Sequence, residues 1–215
     1  MKTKYLFWDF NGTILDDLDL SINLLNEILI NESKAIITKE KYLEIFDFPL
    51  KNYYQKAGIY QDEDNFKRIA NYFIENYHPR SLYLSLHDDV EETLKFLKRQ
   101  GIKNICLSAS EKNNLIAQLK HYKIDHYFEE IIGTDNIIAI GKEKLGLKYL
   151  KENKIDSNEV IYLGDTTYDY QISYLMGVKC VLFTGGHNSV KRLKDTNTLL
   201  IRKISDIINI IEIDK

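Results

Sequence analysis

From about residue 82 onward, short apolar runs alternate with longer amphipathic stretches. The apolar runs have the length and composition of buried strands, and the amphipathic stretches have helical spacing. The N-terminal run YLFWD is of the same kind and should pair into the same sheet. Strands that alternate with helices are typical of a Rossmann-like parallel sheet with helices on both faces, so the sequence predicts an α/β fold. The predicted helices are 88–99, 111–122, 142–152, 167–176 and one at the C-terminus, and the predicted later strands are NICLS, FEEIIG, VIYLGD, VKCVLF and TLLI.

Residues 15–81, which follow the first predicted strand, have a different pattern. Apolar residues recur at helical spacing in LDLSINLLNEILI and over residues 39–46 and 64–77, and no run alternates as a strand would. The only two prolines, Pro49 and Pro79, fall in this segment, where we expect them to mark turns. The pattern therefore predicts an all-helical segment.

This change of pattern predicts two domains. A small all-helical cap domain of residues 15–81 is inserted after the first strand of an α/β core domain of residues 1–14 and 82–215. The two crossings between them, near Leu15 and near residues 81–84, should lie side by side. Ligands of open α/β sheets bind outside the carboxyl ends of the strands, where the insert is attached. The insert is therefore placed to act as a lid.

Composition and charge narrow the class of function. The 215 residues are 44% hydrophobic and 28% charged, and the formal net charge is -3. Because the basic residues are scattered, neither nucleic acid nor an anionic membrane surface is an expected partner. No apolar run approaches the roughly 20 residues that span a bilayer, and no export leader is evident, so we expect a cytoplasmic protein. Cys106 and Cys180 lie in predicted core strands and should be reduced and buried.

Polar residues with chemical potential stand at the ends of several predicted strands. They are Asp9, Ser108, Lys142, Asp165 and Asp169. Each alone has a structural explanation, as a turn residue, a helix cap, a solvated lysine or an acid beside a helix dipole. Because all of them follow strands of one parallel sheet, a shared site is the better interpretation.

The chemistry of this set is that of phosphoryl transfer. Three converging carboxylates repel one another unless a hard cation lies among them, and Mg²⁺ prefers carboxylate, carbonyl and water oxygens. Asp9 is then both a metal ligand and the nucleophile that attacks phosphorus, while Lys142 helps to neutralise the cluster. The Ser108 hydroxyl and nearby main-chain N–H groups would hold the phosphoryl oxygens. An aspartyl-phosphate would form, and water would hydrolyse it.

These motifs resemble those of the haloacid dehalogenase superfamily, and the helical insert resembles the small cap of its phosphoglycolate-phosphatase-like branch. In that family the first motif is a nucleophilic aspartate, one residue, a second aspartate and a short turn; here it is DFNGT, beginning at Asp9. Ser108 matches the second motif, and LGDTTYD matches the fourth. Lys142, 23 positions before Asp165, matches the third motif, although the customary proline does not follow it; Lys144 is the alternative.

The resemblance covers nearly the whole chain and implies a Mg²⁺-dependent phosphatase that acts on a small phosphorylated metabolite. It implies that Mg²⁺ binds the carboxylates of Asp9, Asp165 and Asp169, directly or through water, and the main-chain carbonyl of Asn11. It also assigns a catalytic role to residue 11, since the second aspartate of the first motif protonates the leaving group and later activates water. The sequence does not distinguish a monomer from a homodimer.

Asn11 is the departure from this pattern. Its main-chain carbonyl remains, but its amide cannot exchange protons, so general acid-base assistance worth ~10²–10⁴ in rate is missing. Four interpretations stay open: an active phosphatase that relies on a good leaving group or on water, a slow enzyme that accumulates aspartyl-phosphate, a site that only binds, or a residue altered from the natural one or deamidated. We favour a native phosphatase that is slower or restricted in substrate.

Other classes of protein would share this scaffold. A dehalogenase of the superfamily dispenses with Mg²⁺, which the acidic fourth motif argues against. A phosphonate-cleaving member needs a cap lysine that no feature of the sequence identifies. A non-catalytic or regulatory phosphate-binding protein is the alternative from a different class.

Specificity should come from the helical insert, where the sequence is less informative. Residues 46–56, FDFPLKNYYQK, offer two lysines and two tyrosines that could face the site, or could pack within the insert instead. These candidates are Lys51, Tyr53, Tyr54 and Lys56. His187, in FTGGHNS, could approach a ligand, but an exposed histidine in a tight strand-to-helix turn is the favoured interpretation.

Overall fold

Six parallel strands form one sheet within residues 2–59, 62–135 and 141–211, the part of the chain that the computed structural model describes. The strands are β1 (Tyr5–Trp8), β2 (Lys103–Glu111), β3 (Phe128–Thr134), β4 (Val160–Gly164), β5 (Lys179–Phe183) and β6 (Leu199–Ile201). The helices are α1 (Leu18–Asn31), α2 (Lys39–Ile45), α3 (Leu50–Lys56), α4 (Glu63–Ser81), α5 (Val90–Arg99), α6 (Lys112–His121), α7 (Lys142–Glu152), α8 (Thr167–Met176) and α9 (Val190–Lys194). Short 3₁₀ helices lie at Asp125–Tyr127, Ser157–Glu159 and Ile204–Asn209. The order across the sheet is β3-β2-β1-β4-β5-β6, so the predicted α/β fold is confirmed.

Strand β1 lies in the middle of the sheet and is buried on both faces. Successive side chains of a strand point to opposite faces. Leu6 and Trp8 therefore pack in the cluster that includes Leu94 of α5, whereas Phe7 packs on the other side in the cluster that includes Ile172 of α8. Burial on both faces is why this strand is an unbroken apolar run in the sequence.

The connections out of β1 place a crevice beside it. The chain passes to β2 and β3 on one side of β1, and then returns to β4, β5 and β6 on the other. Such a reversal of strand order opens a crevice at the carboxyl ends of the two adjacent strands, here β1 and β4. Asp9 and Asp165 are the first residues after these strands. The topology therefore delivers both carboxylates to one place.

The helical segment, residues 18–59 and 62–81, contains α1 to α4 and has a hydrophobic cluster of its own. Leu25, Tyr42, Tyr54 and Ile69 are among its buried members. The amphipathic faces of these helices pack on one another, and all four elements are helical, as the pattern of the sequence predicts.

The two crossings between the helical segment and the sheet are adjacent, as expected. Leu15 and Leu86 form an antiparallel bridge, and the Asp16 N–H donates to the Ser85 carbonyl at 3.0 Å. A second contact lies at the far side, where the Arg192 guanidinium donates to the Phe46 carbonyl. The helical segment is thus held against the carboxyl end of the sheet from both sides.

Most predicted elements are present, and α7 and α8 have the predicted bounds. Where a C-terminal helix is predicted, the described residues form a 3₁₀ helix, in which Ile204 and Ile207 are buried at a spacing of three, and residues 212–215 of that prediction lie outside the described residues. The expectation that both prolines mark turns holds for Pro49, which precedes α3, but is wrong for Pro79, which lies within the last turn of α4. No helix in the described part of the chain is long and apolar enough to cross a bilayer.

Candidate active site

The carboxylates of Asp9, Asp165 and Asp169 are buried together at the carboxyl ends of β1 and β4. One oxygen from each lies within 4.8 Å of the other two. The first two follow their strands directly, and Asp169 lies in the first turn of α8. The structure thus brings together the three carboxylates that the sequence pattern singled out.

Lys142, the first residue of α7, reaches into this carboxylate cluster. Its Nζ contacts Oδ1 of Asp9 and lies 2.8 Å from Oδ1 of Asp169. Burial alone would lower the pKa of Lys142, but the charges of Asp169 and Asp9 raise it well above its usual value, so the lysine stays protonated. Lys144 is exposed on the same helix. The geometry therefore favours Lys142 over Lys144 as the site lysine.

Asp165 is fixed by two donors and by two close glycines. The Thr13 hydroxyl donates to Oδ1 at 2.9 Å, and the His187 N–H donates to Oδ2 at 2.6 Å. A Cβ atom would lie 2.1 Å from Oδ2 at Gly186 and 2.5 Å from it at Gly12, so only glycine allows these approaches. Burial raises the pKa of Asp165 to about 6 against the opposing charge of His187.

Asp169 is held by the start of its own helix. Its Oδ2 accepts hydrogen bonds from the Thr166 N–H at 3.0 Å and the Thr166 hydroxyl at 2.6 Å, in a capping box. Its Oδ1 accepts from Lys142 and, at 3.2 Å, from the Tyr162 hydroxyl. Burial would raise the pKa of Asp169, but Lys142 and these donors lower it below its usual value, so this carboxylate is ionised.

The donor set fits a divalent cation. Burial raises the pKa of Asp9 well above its usual range, against the charge of Lys142, and Asp169 and Asp165 raise it further. Three carboxylates facing one lysine leave the cluster short of positive charge, and carboxylate oxygens are the ligands that hard divalent cations prefer. Ser108, whose Oγ accepts the Ser110 N–H at 3.1 Å, lines the same cavity as the cluster.

The Asn11 side chain is fully engaged. Its Nδ2 donates to the Tyr77 hydroxyl at 2.5 Å and to Oδ2 of Asp17 at 3.2 Å, and its Oδ1 accepts from the Ser110 hydroxyl at 2.9 Å. These contacts link the loop after β1 to α4, to the start of α1 and to β2. The amide is therefore built into a network that an aspartate could not join in the same way, since a carboxylate has no N–H to donate.

Asp17 and His187 form a buried ion pair that sequence reasoning missed. Asp17 Oδ1 accepts from His187 Nε2 at 3.0 Å and from the Gly12 N–H at 2.7 Å, and Oδ2 accepts from the Tyr77 hydroxyl at 2.7 Å. Burial would raise the pKa of Asp17, but the charge of His187 and these donors lower it. Burial likewise opposes the charge of His187, yet Asp17 raises its pKa to about 9.

The interpretation of His187 as an exposed turn residue is therefore wrong. The tight turn is present, but its glycines bring the backbone against Asp165, and the imidazole turns inward to Asp17. Asp17 precedes α1 and has the sequence context of a helix cap, yet its carboxylate makes no cap hydrogen bond. The available signal was a pair of acids, Asp16 and Asp17, which only Ile14 and Leu15 separate from the first motif.

A cavity of about 140 Å³ lies between the carboxylate cluster and the helical segment. On the core side its lining includes Asp9, Ser108 and Lys142, and on the other side it is mostly aromatic. The aromatic side chains on that side are Tyr42, Phe46, Phe48, Tyr53, Tyr54, Phe73 and Tyr77. The candidate site is thus charged on the side of the sheet and apolar on the side of the helical segment.

Of the four specificity candidates in residues 46–56, the two tyrosines line the cavity and the two lysines do not. Tyr53 and Tyr54 are buried in the helical segment and also line the cavity. The two lysines are not among the described lining residues, and Lys56 pairs with Asp47 at 3.2 Å. The structure therefore gives this stretch an aromatic contribution to the cavity and not a cationic one.

Comparison with known proteins gives the same family as the motifs. The model of the haloacid dehalogenase-like hydrolase family matches residues 6–183. The chain therefore belongs to the haloacid dehalogenase-like hydrolases, which is the family that the motifs of the sequence indicated.

Two curated proteins and one solved structure illustrate what this chain is similar to. The chain is 28% identical over 182 residues to the "Putative pyrophosphatase PpaX" of Caldanaerobacter subterraneus, covering 84% of this chain and 81% of that one. It is 25% identical over 213 residues to phosphoglycolate phosphatase 1 of Pseudomonas aeruginosa, covering 95% and 78%. The structure of "a predicted phosphatase from Clostridium acetobutylicum" has the same fold, with a TM-score of 0.83, 18% identity, and 97% and 98% of the two chains covered.

Proposed function

We propose that this protein is a metal-dependent phosphatase that hydrolyses a small phosphate monoester through an aspartyl-phosphate on Asp9. The observation that carries the proposal is the buried contact of Lys142 with Asp9 and Asp169, beside Asp165, at the mouth of two adjacent parallel strands. The names of the curated relatives, a pyrophosphatase and a phosphoglycolate phosphatase, support the same reaction class.

The first chemical step is an attack by a carboxylate oxygen of Asp9 on phosphorus. The bond between phosphorus and the ester oxygen breaks, and the leaving group departs with the bonding electrons. Lys142 and the Ser108 hydroxyl hold phosphoryl oxygens and counter their charge, which is the main way in which proteins accelerate this reaction. Water then attacks phosphorus and loses a proton to solvent, since the Asn11 amide cannot accept it. The bond between phosphorus and the Asp9 oxygen breaks, which releases inorganic phosphate and regenerates the carboxylate.

The metal in this proposal is Mg²⁺. Asp9 and Asp165, the main-chain carbonyl of Asn11, and Asp169, directly or through water, would hold it. When bound, it supplies the positive charge that lets an anionic carboxylate approach an anionic phosphate. One carboxylate oxygen of Asp165 lies within 4.8 Å of an oxygen of Asp9 and of Asp169, which supports a ligand role for it.

The division into domains belongs to the same proposal. Residues 1–14 and 82–215 form the core that carries the chemistry, and residues 15–81 form a cap that covers the cavity. The adjacent crossings at Leu15 and Leu86 support a lid that moves about this pair.

A non-catalytic phosphate-binding protein is the second candidate, and Asn11 is the observation that favours it. Release of phosphate from 4-nitrophenyl phosphate in the presence of Mg²⁺ separates the two functions. We expect release that requires Mg²⁺ and is lost in Asp9→Asn, while an exposed control, Asp195→Asn, keeps the wild-type rate. Phosphate binding by the wild type without any release would support the second candidate instead.

A further inference from the structure

We propose that the aromatic side of the cavity is a binding site for an uncharged aromatic leaving group, so that the preferred substrates are aryl phosphate monoesters. This inference rests on the proposed phosphatase function and goes beyond it by naming the substrate class. Three independent features carry it: the lining of the cavity, the pairing of its cations, and the chemistry of Asn11.

The lining is aromatic and comes from three elements of the helical segment. Phe46 follows α2, Tyr53 and Tyr54 lie on α3, and Phe73 and Tyr77 lie on α4. The rings of Phe46 and Tyr53 pack edge to face at 5.1 Å, and those of Phe73 and Tyr77 stack at 5.3 Å. Rings fixed in this way offer both faces and edges to another ring, an arrangement that stabilises aromatic pairs beyond simple burial.

The cations of the cavity are already paired, which disfavours an anionic leaving group. Among the described lining residues the basic side chains are Lys142, His187 and His78. Lys142 contacts Asp9 and Asp169, and His187 contacts Asp17. Burial lowers the pKa of His78, so this histidine is neutral at neutral pH. A carboxylate or a second phosphate in the aromatic part would therefore lack a counter-charge, and an unpaired buried charge is costly.

Asn11 restricts the leaving group by a separate route. The Asn11 amide holds no transferable proton, so the departing oxygen must leave as an anion or take a proton from water. An alkoxide does so reluctantly, whereas a phenoxide is a far weaker base and leaves without assistance. The cavity lining and the chemistry at residue 11 thus select the same class of ester.

Five substrates test the inference. Phenyl phosphate and benzyl phosphate differ in the acidity of the leaving group, and phenyl phosphate and 4-carboxyphenyl phosphate differ in its charge. Phosphoglycolate and pyrophosphate represent small anionic substrates. We expect kcat/KM for phenyl phosphate to exceed that for 4-carboxyphenyl phosphate by about tenfold or more and that for benzyl phosphate by ~10²–10⁴.

A variant with an added cation tests the charge argument directly. Ile74 on α4 lines the cavity and is half-buried, so Ile74→Arg should place a cation at the aromatic side. We expect this variant to improve kcat/KM for 4-carboxyphenyl phosphate and to lower it for phenyl phosphate. Ile30→Arg is the matched control, since Ile30 lies on α1 of the same segment and is 62% exposed.

Binding without turnover gives a second readout. In calorimetry with Mg²⁺ present, phenylphosphonate should bind at least about tenfold more tightly than phosphonoacetate, because only the latter carries a second anionic group. Tighter binding of phosphonoacetate, or a higher kcat/KM for phosphoglycolate or pyrophosphate than for phenyl phosphate, would overturn the aromatic site and leave the phosphatase function standing. Absence of Asp9-dependent hydrolysis of every ester would overturn both.

Discussion

Oδ1 of Asp17 accepts a hydrogen bond from Nε2 of His187 at 3.0 Å, and both side chains are buried although they lie 170 positions apart in the chain. His187 follows β5 of the sheet, and Asp17 stands at the start of α1. The ion pair therefore joins the loop beside Asp165 to the first residue before the helical segment. Nδ1 of His187 lies 2.9 Å from the Tyr42 hydroxyl, so the same histidine also contacts α2.

The first prediction concerns the stability that this ion pair provides. Asp17→Asn should lower the free energy of unfolding by about 3 kcal/mol or more, since removal of one partner leaves a buried charge without compensation. In the His187→Gln background the same change should cost much less. Urea unfolding of the four proteins, without added metal, gives the coupling energy. Equal losses in both backgrounds would contradict the pairing.

The pH dependence of the same cycle follows from the raised pKa of His187. Because its folded-state pKa of about 9 exceeds the ordinary value of 6.5, the stability contributed by its charge is complete below pH 6.5. That contribution is lost as the pH rises through about 9. The coupling energy between Asp17 and His187 should therefore be largest near pH 6 and fall toward pH 10, and a coupling that grows with pH would contradict the ion pair.

The second prediction concerns Asn11→Asp. If residue 11 limits formation of the aspartyl-phosphate, a carboxylate there should raise kcat/KM most for benzyl phosphate and least for phenyl phosphate, because only the alkoxide needs a proton. Equal gains on both esters would contradict this role for residue 11.

In the structure, the side chain of Asp17 lies next to residue 11, and this affects the Asn11→Asp variant. The new carboxylate would lose the hydrogen bond that Asn11 donates to Asp17 and face that ionised side chain at close range. We therefore expect Asn11→Asp alone to lower stability and the double variant Asn11→Asp/Asp17→Asn to show the larger gain in rate. Thermal unfolding and kcat, measured on both variants, check the two parts separately.

The third prediction separates the two candidate lysines. Lys142→Met should lower kcat/KM for phenyl phosphate by about 10²–10³, because it removes a charge from the phosphoryl site. Lys144→Met should leave kcat/KM within about twofold of wild type, since the side chain is exposed and far less constrained. A large loss of kcat/KM in Lys144→Met, with little loss in Lys142→Met, would mean that Lys144 is the lysine of the phosphoryl site.

The fourth prediction concerns metal binding. Mg²⁺ should raise the melting temperature of the wild type, since a ligand that binds only the folded state stabilises it by about 2.7 kcal/mol at a hundredfold excess over Kd. In Asp165→Asn the Mg²⁺-dependent rise should disappear, and in Asp195→Asn it should be unchanged. Loss of the rise in both variants, or in neither, would argue against the carboxylate cluster as the metal site.

The parallel sheet and the polar residues at the ends of its strands could be predicted from the sequence. One bound of each of α7 and α8 is marked by a glycine in the sequence. Gly141 precedes the first residue of α7, and Gly177 follows the last residue of α8. Both adopt the left-handed conformation that glycine favours. Asp9 and Asp165 could be placed together because parallel strands end at the same edge of a sheet.

The contacts around Asn11 could not be predicted in the same way. The partners of its amide, Asp17, Tyr77 and Ser110, come from three elements whose packing depends on how the helical segment sits against the sheet. The inward turn of His187 depends on the same packing. Neither the local pattern of apolar and polar residues nor secondary-structure propensity predicts contacts between residues so far apart in the chain.

The central claim is that Asp9 becomes phosphorylated during turnover. The most direct test mixes the protein with phenyl phosphate and Mg²⁺, stops the reaction with acid within the first turnovers, and maps the peptides by mass spectrometry. We expect one phosphoryl group on the peptide that contains Asp9, and its amount should decrease in Asn11→Asp/Asp17→Asn, in which hydrolysis of the aspartyl-phosphate is faster. Release of phosphate with no phosphoryl group on that peptide, at an undiminished rate in Asp9→Asn, would contradict the claim.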